Sequence, residues 1–363
     1  MSSDDRQTRV RTHIRDAFRW SSEAEFEFGE GLIAGLSFVG PILLAASLGK
    51  LPLGLIASAG SLPVGRVDAG RSFADQARNL ALALVPTIAA AATAAPLAGT
   101  GGIGKVITVL LAGAAALLGG YDRMAAVATT RFILFLIVTQ SFAAAIPHRL
   151  VLVSLLSAGA AWAGALWPLF GAVFRIVLGR RSSSDQEFQA TASFSTKRAR
   201  WRISLLQPAG WHFAVKLASC LVIAEALDAI YPDHHLHWIA LTIVILAQRR
   251  TDPVPVRVTQ RAIGAGFGVV LAGLCLTVRP PIWLLITLIG LIASTRPLLK
   301  ARHYLSYTAM MTTLIVLMMD FDQPPDTSVL ADRVLATFIG AALVIAANVV
   351  GGWIPRRTAA GKS

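Results

Sequence analysis

At 363 residues, 55% of them hydrophobic, and with a mean hydropathy of +0.63, the chain is too apolar for a soluble protein of two or three domains. Its net charge of +13 and pI near 10.8 do not imply nucleic acid. A nucleic-acid binder gathers its basic residues on one polar face, whereas these are scattered as short clusters between apolar runs, where membrane lipid headgroups meet them.

The first thirty residues are polar, carry Glu23, Glu25, Glu27 and Glu30, and hold no apolar core of the signal-peptide type. Within them Val10, Ile14 and Phe18 recur at every fourth position beside Arg11, Arg15 and Arg19, the pattern of a helix lying on the inner membrane surface. Six apolar runs follow, roughly over 31–48, 51–64, 79–98, 103–120, 124–146 and 150–174. A polar interval from Gly179 to Gln207 separates them from six more, over 209–230, 236–247, 262–278, 281–295, 303–319 and 334–354. Of the 33 Lys and Arg residues, 26 lie at the termini and in every second gap. The other connections hold Lys50, Arg149, Arg279 and Arg333, with Lys105 at the edge of the fourth run, and only Arg131 and Lys216 lie deep within runs. Because Lys and Arg beside spans are retained in the cytoplasm, both termini are expected inside.

This reading divides the chain into a cytoplasmic N-terminal segment (1–28), a six-helix membrane unit (29–178), a cytoplasmic linker (179–208), a second six-helix unit (209–355) and a cytoplasmic tail (356–363). A shift of 184 residues places Gly65, Arg66, Val67, Asp68 on Arg249, Arg250, Thr251, Asp252, and Arg149 on Arg333. An even number of spans in each unit makes the copies parallel, related by an axis along the membrane normal. The expected fold is therefore all-α: a polytopic membrane protein of about 12 transmembrane helices in two parallel six-helix repeats.

The second and eighth runs are unusually short, 14 and 12 residues. At 1.5 Å per residue they cover about 18 to 21 Å of a ~30 Å hydrocarbon core. The former also contains Pro52, Gly54, Gly60 and Pro63. Paired short or interrupted segments at equivalent positions point to a transport site.

GTGGIGKV at 99–106 has Val106 where a phosphate-binding loop needs Ser or Thr, and it follows a hydrophobic helix, so nucleotide binding is not expected. Asp233, His234, His235 and His237 are metal-ligand types on one connection, yet adjacent residues of an extended loop cannot all face one ion. No metal, cofactor or covalent catalysis is expected, and the chain does not read as an enzyme. Cys220 and Cys275 fall inside spans as small apolar side chains. Gly264 and Gly268, with Gly31 and Gly35, have the spacing that lets helices approach closely. Lys216 and Arg131, each about 10 Å from the inner end of a span, would cost roughly 2.5 to 3.5 kcal/mol facing lipid. They are expected to face protein or water, as unpaired cations suited to an anionic substrate.

HWIALTIVILAQRRTD (237–252), RAIGAGFG (261–268), RHYLSYTAMMTT (302–313) and RVLATFIG (333–340) resemble the fusaric-acid-resistance-type family, which includes bacterial aromatic carboxylic acid exporters and is related to plant aluminium-activated malate transporters. Trp238, Thr242, Arg261, Gly264, Gly268, Tyr304, Arg333, Thr337 and Gly340 match its pattern, and Ala265 stands where the family usually has Thr. The first half has no Trp and no Arg-x-x-Gly at the equivalent places. The resemblance implies a bacterial inner-membrane exporter of small organic anions, aromatic carboxylates in particular, driven by an ion gradient. Its alternatives are an organic-anion channel or a non-transporting assembly factor, and a homodimer would be unsurprising. The candidate substrate-binding residues are then Arg261, Arg333, Lys216 and Arg131 for a carboxylate, Trp238, Tyr304 and Tyr307 toward its ring, and the motif residue Thr242.

Overall fold

The computed structural model describes residues 28–64, 73–143, 146, 148–178, 194–232, 234–247, 256–278, 280–319 and 327–353. The expected surface helix around Val10–Phe18, Asp233, Arg279, the two tetrapeptides used to align the halves, and the C-terminal tail lie outside them. The described residues form helices and connections, with no strand among them.

The first six helices are α1 (Phe28–Ser47), α2 (Leu51–Ala59), α3 (Phe73–Leu97), α4 (Gly102–Leu118), α5 (Arg123–Ala143) and α6 (Arg149–Leu178). A connecting helix α7 (Phe194–Leu206) precedes α8 (Pro208–Ile230), α9 (Trp238–Leu246), α10 (Val256–Thr277), α11 (Ile282–Arg302), α12 (Tyr304–Met319) and α13 (Thr327–Trp353). Seven stretches are long and apolar enough to cross a membrane: Phe28–Ser47, Ala77–Leu97, Arg123–Ala143, Arg149–Phe170, Thr259–Thr277, Ile282–Arg302 and Ala331–Gly351. Gly102–Leu118 and Tyr304–Met318 are shorter apolar helices. The chain is a polytopic membrane protein.

Local sequence sets the breaks. Gly49, at φ +69°, ends α1, and Pro52 stands in the first turn of α2, where a missing N–H costs nothing. Gly99 and Gly101, also at positive φ, turn the chain from α3 into α4.

The two short runs form short helices, each nine residues or about 14 Å long, half of a hydrocarbon core. Both are buried within the bundle: Gly54 to Ala59 in α2, and every residue from Trp238 to Leu246 except Ile245 in α9. Broken backbone at membrane depth is tolerated only where protein or water surrounds it. Ser61, just after α2, meets that need, its hydroxyl lying 2.8 Å from the Ser37 carbonyl of α1 and 3.0 Å from the Gly159 carbonyl of α6.

Contacts recur between the halves. α3 packs on α5 and α6 as α10 packs on α12 and α13; α2 lies on α6 as α9 lies on α13. Across the halves, α1 packs on α11 and α8 on α4, while α5 meets α9 and α12 meets α2. Glycines set several of these approaches. A Cβ on Gly264 would fall 2.6 Å from the Leu305 carbonyl oxygen and one on Gly268 would clash with that of Ala309, so α10 and α12 run parallel in one register. Gly35 admits Ser294 and the Gly290 carbonyl of α11, and Gly340 admits Thr242 and the Ile239 carbonyl of α9. In the first half, Gly159 of α6 admits the Ala57 carbonyl of α2, as Gly340 does for α9.

Candidate functional site

The eight candidate residues fall into three places. The bundle has an outer end, holding Lys105, Arg149, His234 and Arg333, and an inner end, holding Asp122, Lys197, Lys300 and Tyr304; the names follow the distribution of basic residues in the sequence.

At the outer end, Arg333 opens the buried part of α13 with its guanidinium 4.0 Å over the Trp238 ring of α9. One turn along each helix, Thr242 bonds back to the Trp238 carbonyl (3.0 Å) and Thr337 to that of Arg333 (2.8 Å), and Gly340 lies against Thr242. Arg333 and Trp238 are 5% and 8% exposed, so each covers the other's face. The neighbouring Asp332, which sequence reasoning missed, binds the connection before α9: His234 Nδ1 lies 2.9 Å from Oδ1, and the His235 amide donates to Oδ2 at 3.1 Å. These histidines are thus committed to a carboxylate. Lys105 of the GTGGIGKV segment is similarly committed, to Asp228 (2.5 Å) and Glu225 (3.6 Å) of α8.

His237, which caps α9 in the same connection, has its pKa pushed down to about 4, by burial first, with Arg333, His235 and Lys105 adding to the effect and Asp228 opposing it. A group whose folded pKa lies below its unfolded value near 6.5 keeps the fold stable while it is neutral. That contribution is complete above pH 6.5 and is lost as pH falls toward 4, by at most roughly 3 kcal/mol. His237→Gln is expected to flatten the melting temperature of the detergent-solubilised protein across this window; an unchanged slope would remove His237 as its source.

Lys216 of α8 occupies a second place, and the expectation of an unpaired cation is corrected there. Only 7% exposed, its ammonium donates to Asn348 Oδ1 of α13 at 2.9 Å and lies 5.6 Å over the Phe213 ring. A buried ammonium needs acceptors, and this one ties α8 to α13.

The third place is the inner end. Arg131 of α5 is also not unpaired: its Nη1 donates to the Leu82 carbonyl of α3 at 2.8 Å. Two further cations join it, both absent from the sequence reading. Arg296 of α11 sits 4.9 Å over the Phe38 ring of α1, with Nη2 a long 3.4 Å from the Leu62 carbonyl. Its Nε is buried without a hydrogen-bond partner among the described residues. Lys300 follows one turn later on the same face of α11, and the charges of Arg296 and Arg131 both act on it. Tyr307 of α12 is close enough to Arg296 to interact electrostatically, and its ring pairs with Tyr304 at 5.8 Å. Arg261 belongs to this level as well. Carrying the Gly264–Leu305 register back one turn places it beside the start of α12. It is 8% exposed, and its Nε has no hydrogen-bond partner among the described residues.

The inner end thus gathers three like charges, one from the first half and two from the second, beside a tyrosine pair. No carboxylate of the described residues is among the charges acting on Lys300. Like charges on one helix face destabilise it, and of these three Arg131 and Arg296 are half-buried while Lys300 is exposed. Such a group can take a small anion whose oxygens accept from the guanidinium and ammonium donors.

Residues 205–347 match the family described as fusaric acid resistance protein-like. The match lies in the second half of the chain and covers less than half of its length. No curated protein and no solved structure matches the chain significantly. Within the fusaric acid resistance protein-like segment, the motif residues form two packing joints: Trp238, Thr242, Arg333 and Gly340 between α9 and α13, and Gly264 and Gly268 between α10 and α12. Arg296 and Lys300 lie in the matched segment outside those motifs, and Arg131 lies outside the match.

Proposed function

We propose that this protein is a transporter of small organic anions, aromatic carboxylic acids in particular, exporting them across a bacterial inner membrane at the expense of an ion gradient. The proposed architecture is two parallel six-helix repeats, α1–α6 and α8–α13, about an axis along the membrane normal, with both termini in the cytoplasm. The exchange-related contacts of the halves support it, as does the basic-residue distribution. The observation that carries the function is the group Arg131, Arg296 and Lys300 beside Tyr307, drawn from both halves at the inner end. In this reading a carboxylate entering from the cytoplasm exchanges its hydration for these donors while its ring meets Tyr304 and Tyr307. Arg261 adds positive potential near the inner mouth. The chain acts as a carrier, without covalent chemistry.

Retention of radiolabelled benzoate by cells tests this. Expression of the wild-type chain lowers retention in the reading given, and the Arg131→Gln/Arg296→Gln pair, expressed to the same level, does not. Equal retention with and without the wild-type chain, for benzoate and its hydroxylated analogues alike, would remove the substrate class.

A further inference from the structure

Between the two membrane units the chain forms α7, FSTKRARWRISLL, whose one face is docked and whose other is bare. On the docked face Lys197 Nζ lies 3.1 Å from Asp122 Oδ2 in the turn between α4 and α5. Trp201 Nε1 donates to the Leu117 carbonyl at the end of α4 (3.2 Å), and its ring meets Tyr121 edge-on at 6.0 Å. Burial acts to raise the Asp122 pKa, and the Ala125 amide and Lys197 outweigh it, holding the carboxyl below its ordinary value. The Lys197 pair therefore persists at neutral pH.

The opposite face is exposed and has its own pattern. At 100° per residue, Ala199, Ile203 and Leu206 form an apolar stripe opposite Trp201, flanked by Arg198 and Arg202 on one side and Arg200 on the other. Ile203 is 56% and Leu206 86% exposed, all three arginines are exposed, and the helix carries no acidic residue.

Position decides what meets that face. Only Gln207 separates α7 from Pro208, the start of α8, and Trp211 in the first turn of α8 donates to the Leu205 carbonyl at 2.7 Å, fixing the corner. α7 therefore lies level with the end of α4 and the start of α8. Trp201, Trp211 and Tyr121 share that level, where interfacial aromatics collect. An apolar stripe edged by arginines at this depth is complementary to a leaflet surface bearing negative headgroups.

We infer that α7 is an anionic-lipid-binding helix, seated on the cytoplasmic leaflet through Ile203 and Leu206 and holding phospholipid phosphates through Arg198, Arg200 and Arg202. Because its docked face holds α4 and α5 of the first half while its end is fixed to α8 of the second, lipid bound there clamps the two halves together.

The test is the melting temperature of the full chain in bicelles, which needs no transport and so stands or falls apart from the function proposed above. Wild-type protein in phosphatidylglycerol-doped phosphatidylcholine bicelles melts about 5 °C higher than in phosphatidylcholine alone, since each arginine near such a surface adds to the binding. Arg198→Gln/Arg200→Gln/Arg202→Gln matches the wild type in phosphatidylcholine, which shows that it folds, and loses most of that gain. The gain also shrinks in 0.5 M salt. A full gain in the triple variant overturns the inference, as does an equal gain from inorganic phosphate. A gain that tracks protein concentration, with dimers in place of monomers, assigns the face to a second copy and overturns it too.

Discussion

Arg296→Gln is expected to lower organic-anion flux at least tenfold in protein that inserts and purifies normally. The guanidinium lies 4.9 Å over the Phe38 ring, interacts electrostatically with Tyr307, and acts with Arg131 on Lys300. Losing a hydrogen bond to a charged partner costs about 1.5 to 3 kcal/mol, and tenfold corresponds to about 1.4 kcal/mol. Thermal stability separates this role from a structural one. Removing one of three like charges relieves repulsion, so the Gln variant is expected to melt at or above the wild-type temperature. Arg296→Lys, which keeps the charge and loses the planar fork, is expected to recover part of the flux. A Gln variant that melts well below wild type and transports normally would place Arg296 in the packing of α1 on α11 instead.

Gly159→Leu is expected to be the most damaging single change to the fold. A Cβ there enters the backbone of α2 at the Ala57 carbonyl. The following turn cannot retreat, because Ser61 is bonded to the Gly159 carbonyl itself. Overpacking against a flexible side chain costs about 1 to 3 kcal/mol, and a backbone clash lies above that range. The expectation is a melting temperature lower by at least ~6 °C, or no monodisperse peak in size exclusion. Gly266→Ala is the matched control: nothing lies within 4 Å of its Cβ, so Ala adds helix propensity of up to about 1 kcal/mol and the melting temperature holds or rises. Equal behaviour of the two variants would contradict the packing assigned to α2 and α6.

Periodicity and charge alternation located the helices because both report on the solvent around each segment, and lipid makes that signal strong. The short helices were visible as shortened runs, since Pro52, Gly54 and Gly60 interrupt one and the polar connections around His234–His237 and Arg249–Arg250 bound the other. Burial of both inside the bundle was not visible, because an apolar face against lipid and one against protein read alike. Lys216 and Arg131 stood out as charges within runs, but their acceptors, Asn348 and the Leu82 carbonyl, come from helices 132 and 49 residues away. Arg296 and Lys300 were absorbed by the same charge rule that established topology: the apolar run stops at 295, so both counted as inner loop. The helix continues through Pro297 to Arg302, leaving Arg296 half-buried against α1 and Lys300 exposed one turn later. The repeat of Gly159 on Ala57 and Gly340 on Ile239 likewise leaves little sequence identity, because only the small residue is required and its partner is a carbonyl.

The most direct test of the central claim is flux by the purified protein in proteoliposomes. Vesicles loaded with radiolabelled benzoate, challenged with a pH gradient of either sign, should release it faster than protein-free vesicles. Release should be slowed by unlabelled aromatic carboxylates, unaffected by aromatic amines of the same size, and reduced at least tenfold in the Arg296→Gln protein. Resolvable unitary currents from the same preparation in a planar bilayer would reassign the mechanism from carrier to channel while keeping the anion. Release no faster than from protein-free vesicles, across aromatic and aliphatic carboxylates and under both gradients, would contradict the account.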